Sequence, residues 1–195
     1  MPTLKILFEG YSKEINGEQY ASSQVVFIRD HNLNILVDVG GNRELLIESL
    51  KKEKLNPSDI NYVVLTHTHL DHCLLNGIFE NAQILDDTYI WSFDGKIVEH
   101  NKKIPGTDIE IMATPGHCQS HCSVLVKTEE YGRVVVAGDL FWWADGEKQL
   151  TDKESLLKLA DAYSIDIEAQ YQSREKILKI ADYIIPGHGK AFKIE

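Results

Sequence analysis

Long apolar runs are missing from this chain: none exceeds six residues, too short to span a bilayer, so no membrane partner is expected. Cysteine is scarce. Three residues, Cys73, Cys118 and Cys122, form no disulfide-scaffold pattern, which points to a reducing, cytoplasmic setting. The opening "MPTLKILFEGYSKE" has no apolar run behind a basic segment, so no secretory leader is expected. No Pro- or Gly-rich linker, low-complexity tract or short repeat interrupts the chain, and residues 1–195 read as one domain with room for a sizeable core. Positive charge is deficient, with 20 Lys and Arg against 30 Asp and Glu and a net charge of −10. Nucleic-acid binding usually shows as a basic stripe. The basic clusters here, "KKEK" at Lys51 to Lys54 and the pair Lys102 and Lys103, read as solvated helix and loop faces. Divalent cations would reverse the local sign at a site, so nucleic acid stays open as a substrate.

What is present begins with short β-branched or aliphatic segments bounded by Gly, Pro, Asp or Asn. They are "LKILFEG" from Leu4, "QVVFIRD" from Gln24, "LNILVDVG" from Leu33, "NYVVLTH" from Asn61, "IEIMATP" from Ile109, "SVLVKT" from Ser123, "RVVVAGD" from Arg133 and "YIIPGHG" from Tyr183. Each reads as a strand. Helical spacing appears in "NRELLIESLKKEK", where Leu45, Leu46, Ser49 and Leu50 share a face behind an Asn42 cap. Helices are also expected over "DKESLLKLADAY" from Asp152 and "DIEAQYQSREKILKIADY" from Asp166. In the last of these, Ile167, Tyr171, Arg174, Ile177, Leu178 and Ala181 form a stripe read as core packing. Two blocks of strands with helices between and after them suggest a two-sheet, helix-flanked α/β sandwich.

Five of the eight histidines stand at strand ends: His67, His69 and His72 in "HTHLDH", His117 in "TPGHC" and His188 in "PGHG". Strand ends are where α/β proteins place ligands and chemistry. Imidazole and carboxylate are the usual ligands of a borderline cation such as zinc. Two residues apart in an extended segment, His67 and His69 leave by the same face and can clasp one metal. Asp71 and His72, past the turn, suit a second. Gly116, Gly187 and Gly189 permit the tight bends that bring distant loops together. His31 and His100 read as ordinary surface or core residues, and His121 as a residue near the site without a ligand role.

In order along the chain, "THTHLDH", "TPGH", "AGDLF" and "IIPGHG" resemble the metallo-β-lactamase superfamily, over nearly the whole length from "NILVDVG" onward. The resemblance implies a four-layer αββα sandwich with metals at one edge. It implies His67, His69 and His117 as ligands of a first metal and Asp71, His72 and His188 as ligands of a second. Asp139 would bridge the two, and Asp38 in "LVDVG" matches a carboxylate that orients ligands; a plain strand-end turn is the other reading of Asp38. The catalytic carboxylates are then Asp71 and Asp139. Two divalent metal ions, zinc first and iron or manganese as alternatives, would share a water and lower its pKa toward ~7 for attack on a carbonyl carbon or a phosphorus.

Within the superfamily the compact layout is similar to a small glyoxalase-II-like branch. An aspartate at position 139, where true β-lactamases commonly have cysteine, argues against antibiotic hydrolysis. The expected function is a dinuclear hydrolase of an ester, thioester, lactone or phosphodiester. A rival on the same fold is a persulfide dioxygenase holding one iron through His67, His117 and Asp139. The three cysteines read as small buried hydrophobes. Trp142 and Trp143 read as core or rim packing, with a pocket wall as the other possibility. The expected partner is a small-molecule substrate, and association into an oligomer is compatible with the sequence.

Overall fold

Alternation along Val25–Asp30 sends Val26 and Ile28 to one face and Val25 and Phe27 to the other, and all four are buried. A strand apolar on both faces must lie between two layers. The computed structural model describes residues 1–195 and shows which layers these are. In chain order the strands are β1 (Thr3–Phe8), β2 (Tyr11–Ile15), β3 (Glu18–Ser22), β4 (Val25–Asp30), β5 (Leu33–Val37), β6 (Tyr62–Val64) and β7 (Gln83–Leu85). They continue as β8 (Tyr89–Trp91), β9 (Ile97–Glu99), β10 (Glu110–Ala113), β11 (Cys122–Thr128), β12 (Gly132–Gly138), β13 (Tyr183–Pro186) and β14 (Phe192–Lys193). The α-helices are α1 (Arg43–Lys52), α2 (Leu70–Cys73), α3 (Lys153–Leu157) and α4 (Ile167–Ile180).

A seven-stranded sheet runs β1-β4-β5-β6-β7-β8-β9 and a five-stranded sheet runs β10-β11-β12-β13-β14. Val26, Ile28, Val37 and Val64 of the first sheet meet Ile111, Val124, Val136 and Ile185 of the second in the central core. The opposite face of the first sheet, through Phe27, Leu36 and Val63, buries Leu46 and Leu50 of α1. The opposite face of the second, through Leu125, Val135 and Ile184, buries Leu156 of α3 with Ile177 and Leu178 of α4. The layers are therefore α, β, β, α, as the sequence suggested.

Local signals account for the helices. Asn42 Oδ1 accepts the Leu45 N–H at 3.1 Å and caps α1, Asp152 caps α3 and Asp166 caps α4. Two expectations need correction. The helix expected from Asp152 to Tyr163 stops at Leu157, and the segment beyond it is a loop. On α4, Arg174, Ile177 and Leu178 are buried, as is Ala181 at its end, but Ile167 is 76% exposed and Tyr171 43%. The first turn of α4 overhangs solvent, and only its later turns lie on the second sheet. No helix is long and apolar enough to cross a membrane.

Candidate metal centre

The site forms along one edge of the sandwich, where loops leave both sheets. His67 follows β6, and His69 sits at the start of the single-turn α2, which carries Asp71 and His72. His72 O accepts the backbone N–H groups of Val39 and Gly40, and Asp71 O accepts that of Ser23, so the turn is held in place. From the second sheet come His117 after β10, Asp139 directly after β12 and His188 after β13. The Cys122 N–H donates to Thr66 O at 2.8 Å and joins the two edges.

All seven residues picked out by the sequence converge. His67, His69, His117 and Asp139 form one cluster, and Asp71, His72 and His188 a second, each with its ligand atoms within 4.8 Å of one another. Asp139 divides between them. Its Oδ1 lies 3.2 Å from His72 Nε2 and 3.7 Å from His188 Nε2. Its Oδ2 lies 3.5 Å from His117 Nε2 and 3.9 Å from His67 Nε2. Asp71 Oδ2 stands 3.1 Å from His188 Nε2.

Hydrogen bonds behind the cluster decide which ring nitrogens face it. His72 Nδ1 is 2.8 Å from Asp38 Oδ2, and His188 Nδ1 is 3.0 Å from Tyr11 O. Both partners accept only, so each Nδ1 carries the hydrogen and each Nε2 turns a lone pair inward. The Thr66 hydroxyl donates to Asp38 Oδ2 at 2.8 Å and so accepts from His67 Nδ1 at 3.0 Å, with the same result. Asp38 therefore fills both roles foreseen for it: a strand-end residue at φ +55° and the carboxylate that orients His72.

His117 Nδ1 lies 2.8 Å from Asp161 Oδ2, a partner the sequence reading missed. Asp161 stands in the loop between α3 and α4. Its Oδ2 also accepts from Gln170 Nε2 at 2.7 Å, and its Oδ1 accepts from the Tyr163 N–H at 2.9 Å. Burial opposes its charge, but the His117 and Gln170 hydrogen bonds outweigh this and hold the carboxyl at about 2. Arg174, brought down to about 10 by burial, braces the loop by donating from Nε to Leu140 O at 2.9 Å and from Nη1 to Leu159 O. Asp161→Ala is expected to weaken metal binding about 10- to 100-fold, read by titration with a chromogenic chelator, because the His117 ring loses its anchor.

The donor set fits divalent cations. His69 Nδ1 lies 3.0 Å from His67 Nε2 and 3.0 Å from His117 Nε2, three lone-pair atoms at nearly the roughly 3.3 Å separation of nitrogens around tetrahedral zinc. His72 Nε2 and Asp139 Oδ1 are buried with no hydrogen-bond partner, both aimed into the cluster. Burial works against charge on His72, but the flanking Asp139 and Asp38 hold it well above the usual imidazole range, so positive charge is favoured at this position; a cation bound there would supply that charge and leave Nε2 as its lone-pair donor. His67, where burial and the neighbouring His72 dominate, is held well below that range. Buried carboxylate charge thus favours positive charge in the cluster, which a bound cation would supply without protonating His67.

The remaining residues sort plainly. His121 is fully buried behind His67, its Nδ1 2.9 Å from Thr114 Oγ1, and burial drives it down to about 3. His31 is exposed, and His100 packs against Asp86 O; neither belongs to the site. The cysteines are all free and outside both clusters. Cys122 is in the central core, while Cys73 and Cys118 are only half-buried. Trp143 is core, whereas Trp142 lines a cleft of about 410 Å³ over the cluster together with Leu70 and Tyr163. A larger cleft of about 490 Å³, over Asp30, His31 and Asp108, shares no residue with it.

A two-sheet αββα sandwich that gathers histidines and aspartates into two adjoining metal-competent clusters at its edge belongs to a class of metal-dependent hydrolases. The family model of the metallo-beta-lactamase superfamily matches residues 21–92. Over 98% of its length the chain is 37% identical to metallo-beta-lactamase domain-containing protein 1 of Xenopus laevis, of which it covers 82%. It spans 59–63% of the length of the mouse, rat and human proteins of that name. Among solved structures, a protein of Thermotoga maritima superimposes with a TM-score of 0.74 at 22% identity, over 98% of this chain and 99% of the other. The dizinc quorum-quenching lactonase AidC gives a TM-score of 0.61 at 16% identity, over 88% and 73%. The chain belongs to the metallo-β-lactamase superfamily.

Proposed function

We propose that residues 1–195 form one catalytic domain of the small glyoxalase-II-like branch, which hydrolyses an ester, thioester, lactone or phosphodiester with two divalent cations. In this reading His67, His69 and His117 would hold one cation, Asp71, His72 and His188 would hold the other, and Asp139 would serve both. The observation that carries it is the division of Asp139, one oxygen facing the histidines of each set. Two zinc ions bound there, or iron or manganese in their place, supply Lewis acidity that polarises the substrate oxygen and makes water a nucleophile near neutral pH.

The chain's own groups do the rest. Asp38 and Asp161 fix the rings of His72 and His117, so no reorientation is needed as charge develops. Asp71 sits on the cleft floor. Burial pushes its carboxyl up, but His188 and His72 outweigh this and keep it below its usual range, so it is an anionic acceptor for a proton of the attacking water. The single-iron dioxygenase alternative uses His67, His117 and Asp139 and leaves the buried, unpartnered His72 Nε2 without a role. That atom favours the two-cation hydrolase. The free cysteines accord with a reducing, cytoplasmic compartment.

Elemental analysis of protein purified without added metal or chelator tests the reading. About two equivalents of zinc, or of mixed zinc, manganese and iron, are expected per chain. About one equivalent of iron alone, together with oxygen uptake on a persulfide, would replace the hydrolase with the dioxygenase.

A further inference from the structure

The cleft over the cluster has two chemically different parts. Its floor is polar, built from His69, Asp71, His117, Asp139 and His188. Its walls are not. Leu70, 68% exposed, lines the cleft together with Trp142 and Tyr163, the latter 66% exposed, and the two rings have centroids 5.7 Å apart. The indole N–H of Trp142 is buried without a partner, so that residue offers a ligand its ring surface and no donor. Exposed apolar surface continues past Tyr163 along the same segment, through Ile165 at 68% and Ile167 at 76%.

Single exposed apolar side chains are ordinary, but several grouped at the mouth of a polar-floored cleft mark a ligand surface. Equally telling is what lines none of it: no lysine or arginine reaches the cleft. The Arg174 guanidinium is buried, with Nε and Nη1 donating to the carbonyls of Leu140 and Leu159, and Lys13 lies over the Tyr11 ring at 4.9 Å. A polynucleotide would carry further phosphates, and a glutathione or coenzyme A thioester further anionic groups, along walls that offer no cation to receive them.

Resting on the hydrolase reading, we infer that the substrate is a neutral ester, thioester or lactone with an apolar acyl arm, and that Leu70, Trp142 and Tyr163 receive the arm. The floor presents the carbonyl to attack. Water oxygen bonds to the acyl carbon, and the bond from that carbon to the leaving oxygen or sulfur breaks. One water proton goes to the leaving group and the other to solvent, leaving a carboxylate. Apolar walls then act on substrate length and not on the reacting bond.

Zinc-loaded protein assayed on p-nitrophenyl acetate, butyrate, hexanoate and octanoate, and on bis(p-nitrophenyl) phosphate, tests this. The value of kcat/KM should rise roughly two- to fourfold per methylene, fourfold being full burial, and the phosphodiester should be the poorest substrate. Octanamide, which is not turned over, should bind more tightly than acetamide by calorimetry. Leu70→Ser and Tyr163→Ser should each lower the octanoate-to-acetate ratio about fivefold or more and weaken octanamide binding. Both side chains are mostly exposed, so the fold does not depend on them. A flat dependence on chain length with the phosphodiester turned over faster than octanoate overturns the inference and leaves the hydrolase intact. No turnover of any substrate by metal-loaded protein overturns the hydrolase and the inference with it.

Discussion

Replacing Asp139 with asparagine should lower hydrolysis on the order of 10³-fold and reduce bound metal, while circular dichroism shows an unchanged fold. The carboxylate is 6% exposed, and Nε2 atoms of four histidines lie within 3.9 Å of its two oxygens. Burial pushes its carboxyl up, but His72 and His188 outweigh this and hold it well below the usual range, so it is charged at any pH at which the protein works. Asparagine keeps the shape and removes the charge, which separates electrostatics from packing. Elemental analysis and turnover on any good substrate check the result. Full activity in Asp139→Asn would remove the bridging role from the site.

The second large effect falls on a residue with no side chain. Gly116 has φ +138°, and a methyl group there would land on the backbone and Cβ of Gln170 in α4. Its carbonyl accepts the N–H groups of Ile165 and Asp166, each at 3.0 Å, so the ligand loop and the start of α4 are in direct backbone contact. Gly116→Ala should cost about 3 kcal/mol in strain and overpacking, a fall in Tm of about 6–12 °C by calorimetry, and should displace His117. Gly77→Ala is the matched control, since an added methyl there meets nothing within 4 Å. Equal midpoints for the two variants would show that the close approach of loop and helix is not needed.

The histidine cluster was legible because it is dense and falls at strand ends, where little but function explains so many imidazoles. Asp161 was not. It sits in "LADAYS", where a helix was expected, and its role comes from a contact with His117, 44 residues away. Nothing in the local sequence distinguishes it from a turn residue. The β2–β3 hairpin also went unread, although its signal was present. Asn16 and Gly17 stand between two alternating segments, and both adopt positive φ, +54° and +83°. Strands β7 to β9 are three residues each, and β8 and β9 are largely exposed, so they carry little hydrophobic pattern. Ile167 and Tyr171 followed helical spacing faithfully yet lie outside the core, because periodicity reports the face of a helix and not how far a sheet extends beneath it.

Neither ligand set belongs to one sheet. His67 and His69 leave the first sheet to meet His117 and Asp139 from the second, and Asp71 and His72 likewise meet His188. A cation held by either set would be a cross-link between the two halves of the sandwich. Metal loading and sheet docking would then be one equilibrium, each strengthening the other by mass action. Stripping the metal would act first on the joint between the sheets, before either sheet is disturbed.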